Sequence, residues 1–217
     1  MSDKPLFSYQ IDPVLIEQQS FETIRALTEL AHLSLDQQQV VMRIVHSLGM
    51  PSLAEQVRFS DKACESGRQA LAANAAILCD VEMVKQGITK RMISEPPSCY
   101  LNHPETERLA KSRGETRSMA AVDLWQSQLA GAVVVIGNAP TALFRLLERI
   151  HQSGVKPALI IGMPVGFIGA AESKQALWDC HQSLGIECIT ILGREGGSAV
   201  ASATCNALLR CNRNEYY

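Results

Sequence analysis

Ala132-Val133-Val134-Val135-Ile136, then Gly137-Asn138-Ala139-Pro140-Thr141, then a helical pattern over 142–152: this stretch decides the fold. Its apolar run carries no polar alternation, so it reads as a strand buried on both faces rather than one half open to water. The same triplet of strand, glycine-bearing loop and helix recurs twice downstream. Residues 158–161 feed Gly162-Met163-Pro164-Val165-Gly166-Phe167 and a helix after Gly169, and residues 187–192 feed Gly193-Arg194-Glu195-Gly196-Gly197-Ser198 and the last helix. Strands joined through helices run parallel, and fully apolar parallel strands are covered on both sides. The fold class expected is therefore α/β, a single three-layer domain with a mainly parallel sheet and helices on both faces.

Working upstream, 117–129 is helical in pattern behind Thr116, and 93–104, with Pro96-Pro97 and Asn102-His103-Pro104, is an irregular excursion with a short strand around 99–101. Ala76-Ile77-Leu78-Cys79 suits another buried strand, preceded by a helix over about 60–74. Ser34 and Gln37 have the spacing of a capping box, and Val41, Ile44, Val45 and Leu48 follow at helical intervals until Gly49. Asp12-Pro13 reads as an N-cap and first helical residue, with Ile16, Phe21, Ile24, Leu27 and Ala31 behind it.

Composition narrows the function classes. The 217 residues are 47% hydrophobic and 19% charged, enough for one substantial core, and the net charge of −2 has no basic cluster, which excludes a nucleic-acid footprint. Residues 1–10 hold no apolar stretch long enough for a signal peptide or a spanning helix, so no membrane association and a cytoplasmic location are expected. The seven cysteines form no C-x-x-C pair and several sit in apolar runs, where thiols pack as small hydrophobes; neither a disulfide framework nor a metal site is expected, Cys180-His181 included.

In a parallel sheet the loops after the strands gather on one rim, where free N–H groups and helix N-termini favour anions. The loops around Asn138 and Thr141, around Ser173, and from Arg194 through Gly196, Gly197 and Ser198 either only make tight turns or together offer donors to an anionic ligand. No G-x-G-x-x-G or G-x-x-x-x-G-K-[ST] is present, which demotes NAD and ATP. His46 stands off the apolar stripe of its helix near the C-terminus, where it either caps carbonyls or, with its pKa raised by the helix dipole, donates a proton. Arg91 and Arg117 either clamp carboxylates or are solvated charges; Asp80 and Glu82 either do acid–base work or cap and pair.

The succession Met42-Arg43-Ile44-Val45-His46, Ile77-Leu78-Cys79-Asp80 with Glu82-Met83-Val84 and Gly87-Ile88-Thr89, Thr116-Arg117-Ser118, Gly137 through Leu143, Gly162 through Phe167 with Gly169 through Lys174, and Gly193-Arg194 with Gly196-Gly197-Ser198 resembles the precorrin-8X methylmutase family over about 19–209. The resemblance implies a homodimeric isomerase of cobalamin biosynthesis. Its substrate would be precorrin-8X or cobalt-precorrin-8, its reaction a 1,5-sigmatropic methyl shift from C11 to C12, and no cofactor would be required. It also implies that His46 protonates the macrocycle and that Ser20, Arg43, Thr89, Arg91, Arg117, Asn138, Thr141, Ser173, Arg194, Gly196, Gly197 and Ser198 bind it. A large polycarboxylate suits dispersed N–H and Arg donors. The competing readings are a non-catalytic tetrapyrrole carrier, which would not require His46, and an unrelated α/β enzyme of phosphate esters. The ends, 1–15 and 210–217, carry no motif of the family.

Overall fold

Six strands, β1 (Val57–Phe59), β2 (Ile77–Cys79), β3 (Ser98–Cys99), β4 (Val133–Ile136), β5 (Leu159–Gly162) and β6 (Cys188–Ile191), form one sheet in the order β1-β6-β5-β4-β2-β3. The computed structural model describes residues 6–217, so the first part of the segment read as leaderless, 1–5, lies outside the described residues. All neighbours are parallel except β1, which pairs antiparallel with β6.

The central strands bury both faces, as their unbroken apolar runs require. Val133 and Val135 join one core cluster with Ile77, Cys79, Leu159, Ile161 and Ile189, while Val134 and Ile136 join another with Leu78, Ile160 and Cys188. Side chains alternate across a strand, so one run supplies two cores. On the first face lie α2 (Leu35–Leu48), α3 (Ala63–Ala72), α4 (Glu82–Gly87) and α9 (Ser198–Asn212), with α1 (Pro13–Ala26) packed outside α2. On the second lie α6 (Arg117–Val122), α7 (Pro140–Ser153) and α8 (Ala170–Leu184), with α5 (Pro104–Arg113) against α6. These are the three layers of an α/β fold. No helix among the described residues is long and apolar enough to cross a membrane.

Local chemistry sets the helix ends. Asp12 Oδ1 accepts from Val14 N at 2.8 Å, Ser34 and Gln37 complete a reciprocal capping box, and Gly49 ends α2 in the left-handed region at φ 66°. Three local expectations are corrected. The helix read over about 60–74 is α3, which starts only at Ala63, and just before it lies β1, Val57-Arg58-Phe59, a strand too short for its period to register. The pattern over 117–129 is an α-helix only to Val122, after which a 3₁₀ turn, Asp123–Trp125, drops Trp125 into the second core. The short strand in the 93–104 excursion is Ser98–Cys99, one residue earlier than the pattern indicates. The first apolar stripe is half used: Phe21 and Ile24 are buried and Ile16 is exposed on α1, while Leu27, also exposed, and Ala31 lie beyond its end.

Candidate functional site

Chain order reverses between β2 and β4, and in an open parallel sheet a ligand crevice opens at the carboxyl ends of two such strands. Here it is filled from within. Asp80, the residue after β2, is fully buried, and its carboxylate accepts from Gly137 N (3.1 Å), Asn138 N (2.8 Å) and Ala139 N (2.8 Å). Burial raises the Asp80 pKa while the three N–H donors act in the opposite sense. Asp80 is thus an internal anchor, and the N–H groups expected to await a ligand are already bonded. A Cβ on Gly137 would come within 2.8 Å of both Ser198 Cα and Val84 Cγ2, so α4 and α9 close over the same place.

The other two glycine loops hold each other. Gly197 N donates to Met163 O at 2.8 Å, Gly166 N to Arg194 O at 3.3 Å, and Lys174 reaches across from α8 to donate to Glu195 O. Lys174 is fully buried, and that desolvation brings its ammonium pKa down to about 8. Gly196 is the tight point: at φ 153° a Cβ there would meet Met163 O at 2.4 Å, whereas one on Gly197 would meet nothing nearer than Val165 Cγ1 at 3.8 Å. Backbone approach is therefore critical at Gly196; Gly197 is constrained by its φ of 123° rather than by space. Ser173 is fully buried and its hydroxyl donates to Ala170 O, while Ser198 is 9% exposed. Neither hydroxyl fronts open surface.

His46 stands in the last turn of α2, and the cavity it lines takes no residue from the three glycine loops. After α2 a 3₁₀ segment, Pro51–Gln56, leads into β1, whose antiparallel direction sets Gln56 O to accept from Leu192 N at 3.0 Å, just beyond β6. His46 and Ser20 line a cavity of about 550 Å³ with Ile16, Ile24, Gly49 and Pro51, and Ser20 Oγ lies 3.0 Å from His46 Nδ1. The tautomer in which Ser20 donates leaves the proton on Nε2, facing away from the hydroxyl. Phe21 stacks on the imidazole with centroids 5.0 Å apart. The dipole argument for a raised His46 pKa is overturned in the free protein: burial lowers it first, the Arg43 guanidinium second, and Glu17 only partly opposes them.

The remaining candidates separate into groups. Arg43 is half-buried beside His46, its guanidinium 5.8 Å from the Phe21 ring. Thr89 N donates to Asn206 Oδ1 at 2.8 Å, and Asn206 Nδ2 to Gly87 O at 2.9 Å, so α9 holds the turn that carries Thr89. Thr141 Oγ1 is 2.8 Å from Thr116 Oγ1, and among the described residues Arg117 next to it makes only a 3.5 Å contact with Asn102 Oδ1. Arg91, Arg117, Asn138 and Arg194 are exposed. Asp80, Lys174 and Asn206 are the residues that position these loops, and among them only Asp80 drew attention as a sequence. A buried Lys six residues into a motif and an Asn late in an apolar helix announce themselves by their cost of burial, which is visible only once burial is known.

The sequence model of the precorrin-8X methylmutase family matches residues 15–211. A precorrin-8X methylmutase of Pseudomonas aeruginosa is 46% identical over 94% of this chain and 98% of its own, and one of a Sinorhizobium species is 45% identical over 95% and 98%. A cobalt-precorrin-8 methylmutase of Methanocaldococcus jannaschii is 35% identical over 81% and 80%. The solved precorrin-8X methylmutase of Thermus thermophilus superposes with a TM-score of 0.82 at 34% identity, covering 94% of this chain and 98% of that one. With a matching family model over nearly the whole chain and relatives at this identity, the chain belongs to the precorrin-8X methylmutase family, isomerases of cobalamin biosynthesis.

Proposed function

We propose that this protein converts precorrin-8X, or its cobalt-bearing counterpart, by a 1,5-sigmatropic shift of the methyl group from C11 to C12, with His46 as the proton donor. The observation that carries the reading is the Ser20–His46 pair, 3.0 Å apart at the wall of a cavity, in a chain of this family. A sigmatropic shift needs no nucleophile, so a polarised macrocycle held in one conformation is the chemistry required. Arg43, Arg91, Arg117 and Arg194 supply positive charge to a polycarboxylate, with the side chains of Ser20, Thr89, Asn138 and Thr141 as further donors; Ser173, Ser198, Gly196 and Gly197 serve indirectly, by shaping the loops, since both serines are buried and the Gly197 N–H is bonded to Met163 O. Incubation with each substrate form, followed by absorption spectra of the products, tests the reading and separates the two routes. No spectral change with either form overturns it.

Arg117 carries a separable prediction. It has no carboxylate partner among the described residues, and pairing with a ligand carboxylate would use its free fork. Arg117→Ala is expected to weaken product binding by about tenfold to a hundredfold, with Lys restoring only part, because charge without the fork is retained. Wild-type affinity in a titration of Arg117→Ala would show a solvated surface charge instead.

The same reading takes the protein as a cytoplasmic homodimer. Phe167 and Ile168, 88% and 91% exposed at the tip of the loop after β5, and Ile11 and Val14 before and within α1, are large apolar side chains without cover, which a second copy would bury. Sedimentation is expected to give a dimer at micromolar concentration. A fully active monomer removes the proposal.

A further inference from the structure

Phe21 is shared between two rings. At 2% exposure it stacks with His46 (centroids 5.0 Å, planes 15° apart) and with Tyr217 (3.5 Å, 13°). Tyr217 is pinned from three helices. Its N–H donates to Gln39 Oε1 on α2 at 2.9 Å, its carbonyl accepts from Arg25 Nη2 on α1 at 2.8 Å, and Arg210 of α9 sets its guanidinium 4.3 Å from the ring centroid. Arg43, one turn before His46, lies 5.6 Å from the Tyr217 ring and 5.8 Å from that of Phe21. Among the described residues the Tyr217 hydroxyl is buried without a well-formed hydrogen bond, and Arg43 is the foremost charge acting on it, so the ring face rather than the oxygen is what Phe21 rests on. The segment after residue 211, beyond the stretch 15–211 that the family model matches, therefore supplies the ring that supports the one on which His46 rests.

We propose that Tyr217 is a positioning residue for His46, acting through Phe21: it holds the Phe21 ring as a flat support, and that support together with Ser20 confines the imidazole to one plane. An exposed histidine on the last turn of a helix otherwise exchanges rotamers freely. Two fixed points, a hydrogen bond at Nδ1 and a stacked face, leave Nε2 with one direction. The charged groups facing the imidazole are Arg43 from its own helix and Glu17 from α1, with Ser20 the uncharged partner, and the stack also fixes where Arg43 lies relative to it.

The inference rests on His46 being the proton donor, but its test does not. In ¹⁵N-labelled protein the His46 ring resonances, identified by their loss in His46→Ala, are followed against pH in wild type, Tyr217→Phe, Tyr217→Leu and Arg25→Ala. Tyr217→Phe keeps the ring and is expected to superpose on wild type. Tyr217→Leu keeps most of the apolar volume but no flat face, so the His46 resonances move and its midpoint rises toward the ordinary imidazole value as the support loosens and Arg43 is released. With that shift, kcat falls by about tenfold while KM stays within about twofold, as expected for a misdirected group rather than a lost contact. Arg25→Ala frees the Tyr217 carbonyl without opening the core and is expected to move the resonances the same way by less, which keeps the test decisive if Tyr217→Leu does not fold. Unchanged His46 titration in the folded variants overturns the proposal whatever happens to thermal stability, and so does a Tyr217→Phe protein that behaves like Tyr217→Leu. Full activity of His46→Ala removes the proton-donor reading alone, since the resonances still report whether Tyr217 orients the ring.

Discussion

Replacing His46 by Ala is expected to lower kcat by about 10²- to 10⁴-fold, the contribution of a positioned proton donor, while product affinity and thermal midpoint change little. The ring stands off the apolar stripe of α2, and its contacts are one hydroxyl and one stacked face, so the core survives its loss. His46→Asn keeps polarity without the acid and is expected to behave alike. The pH profile supplies an independent check. A proton donor acts only when protonated, so activity falls as pH rises through its pKa. In the free protein, burial and Arg43 hold that pKa below the ordinary imidazole value, so kcat/KM is expected to fall on the acidic side of it. A bound polycarboxylate adds negative charge beside Arg43 and His46, which stabilises imidazolium and moves the descending limb of kcat to higher pH. Near-normal turnover by His46→Ala, or coincident limbs in kcat and kcat/KM, contradicts the assignment.

The largest effect on stability is expected at Asp80. Its carboxylate satisfies three backbone N–H groups, and those of Gly137 and Ala139 belong to buried residues. Asp80→Ala leaves them without an acceptor, at roughly 1–3 kcal/mol for each buried donor. Water reaches Asn138, which is exposed, so the expected loss is about 2–6 kcal/mol. For a chain of this length that corresponds to a fall in Tm of roughly 5–20 °C. Asp80→Asn keeps one acceptor oxygen but turns an amino group toward the donors, and is expected to lose much of the same stability. Scanning calorimetry decides the matter. A midpoint within a degree or two of wild type for both variants would mean that the 137–139 loop finds other partners, and that Asp80 is free for a different role.

The two predictions differ in how far they were legible beforehand. His46 was visible as an amphipathic misfit, and the family resemblance assigned its chemistry; the direction of its pKa was not visible, because, although Arg43 is one turn away on the same helix, the desolvation that lowers it most comes from neighbours such as Phe21 and Ser20, which meet it through packing. Asp80 stood in a recognisable motif, yet its role depends on β2 lying beside β4, residues 57 positions apart in the chain. The Gly137 loop likewise read as a ligand cradle only because the acceptor of its N–H groups is remote in sequence.

By itself the sequence determined what periodicity and local chemistry can carry: the βα alternation, the parallel centre of the sheet from unbroken runs such as 132–136, and helix limits at Asp12-Pro13, the Ser34–Gln37 box and Gly49. Each depends on residues within a few positions of one another, where side-chain alternation and capping bonds act. Only the tertiary structure decided the antiparallel edge at β1, the filled crevice at Asp80, the burial of Ser173 and Lys174, the tight approach at Gly196 to Met163, and the return of Tyr217 to the ring beside His46. The reason is physical: a three-residue strand has too little period to detect, and a buried polar group or a stacked ring is defined by the partner it meets, which the fold brings from elsewhere in the chain.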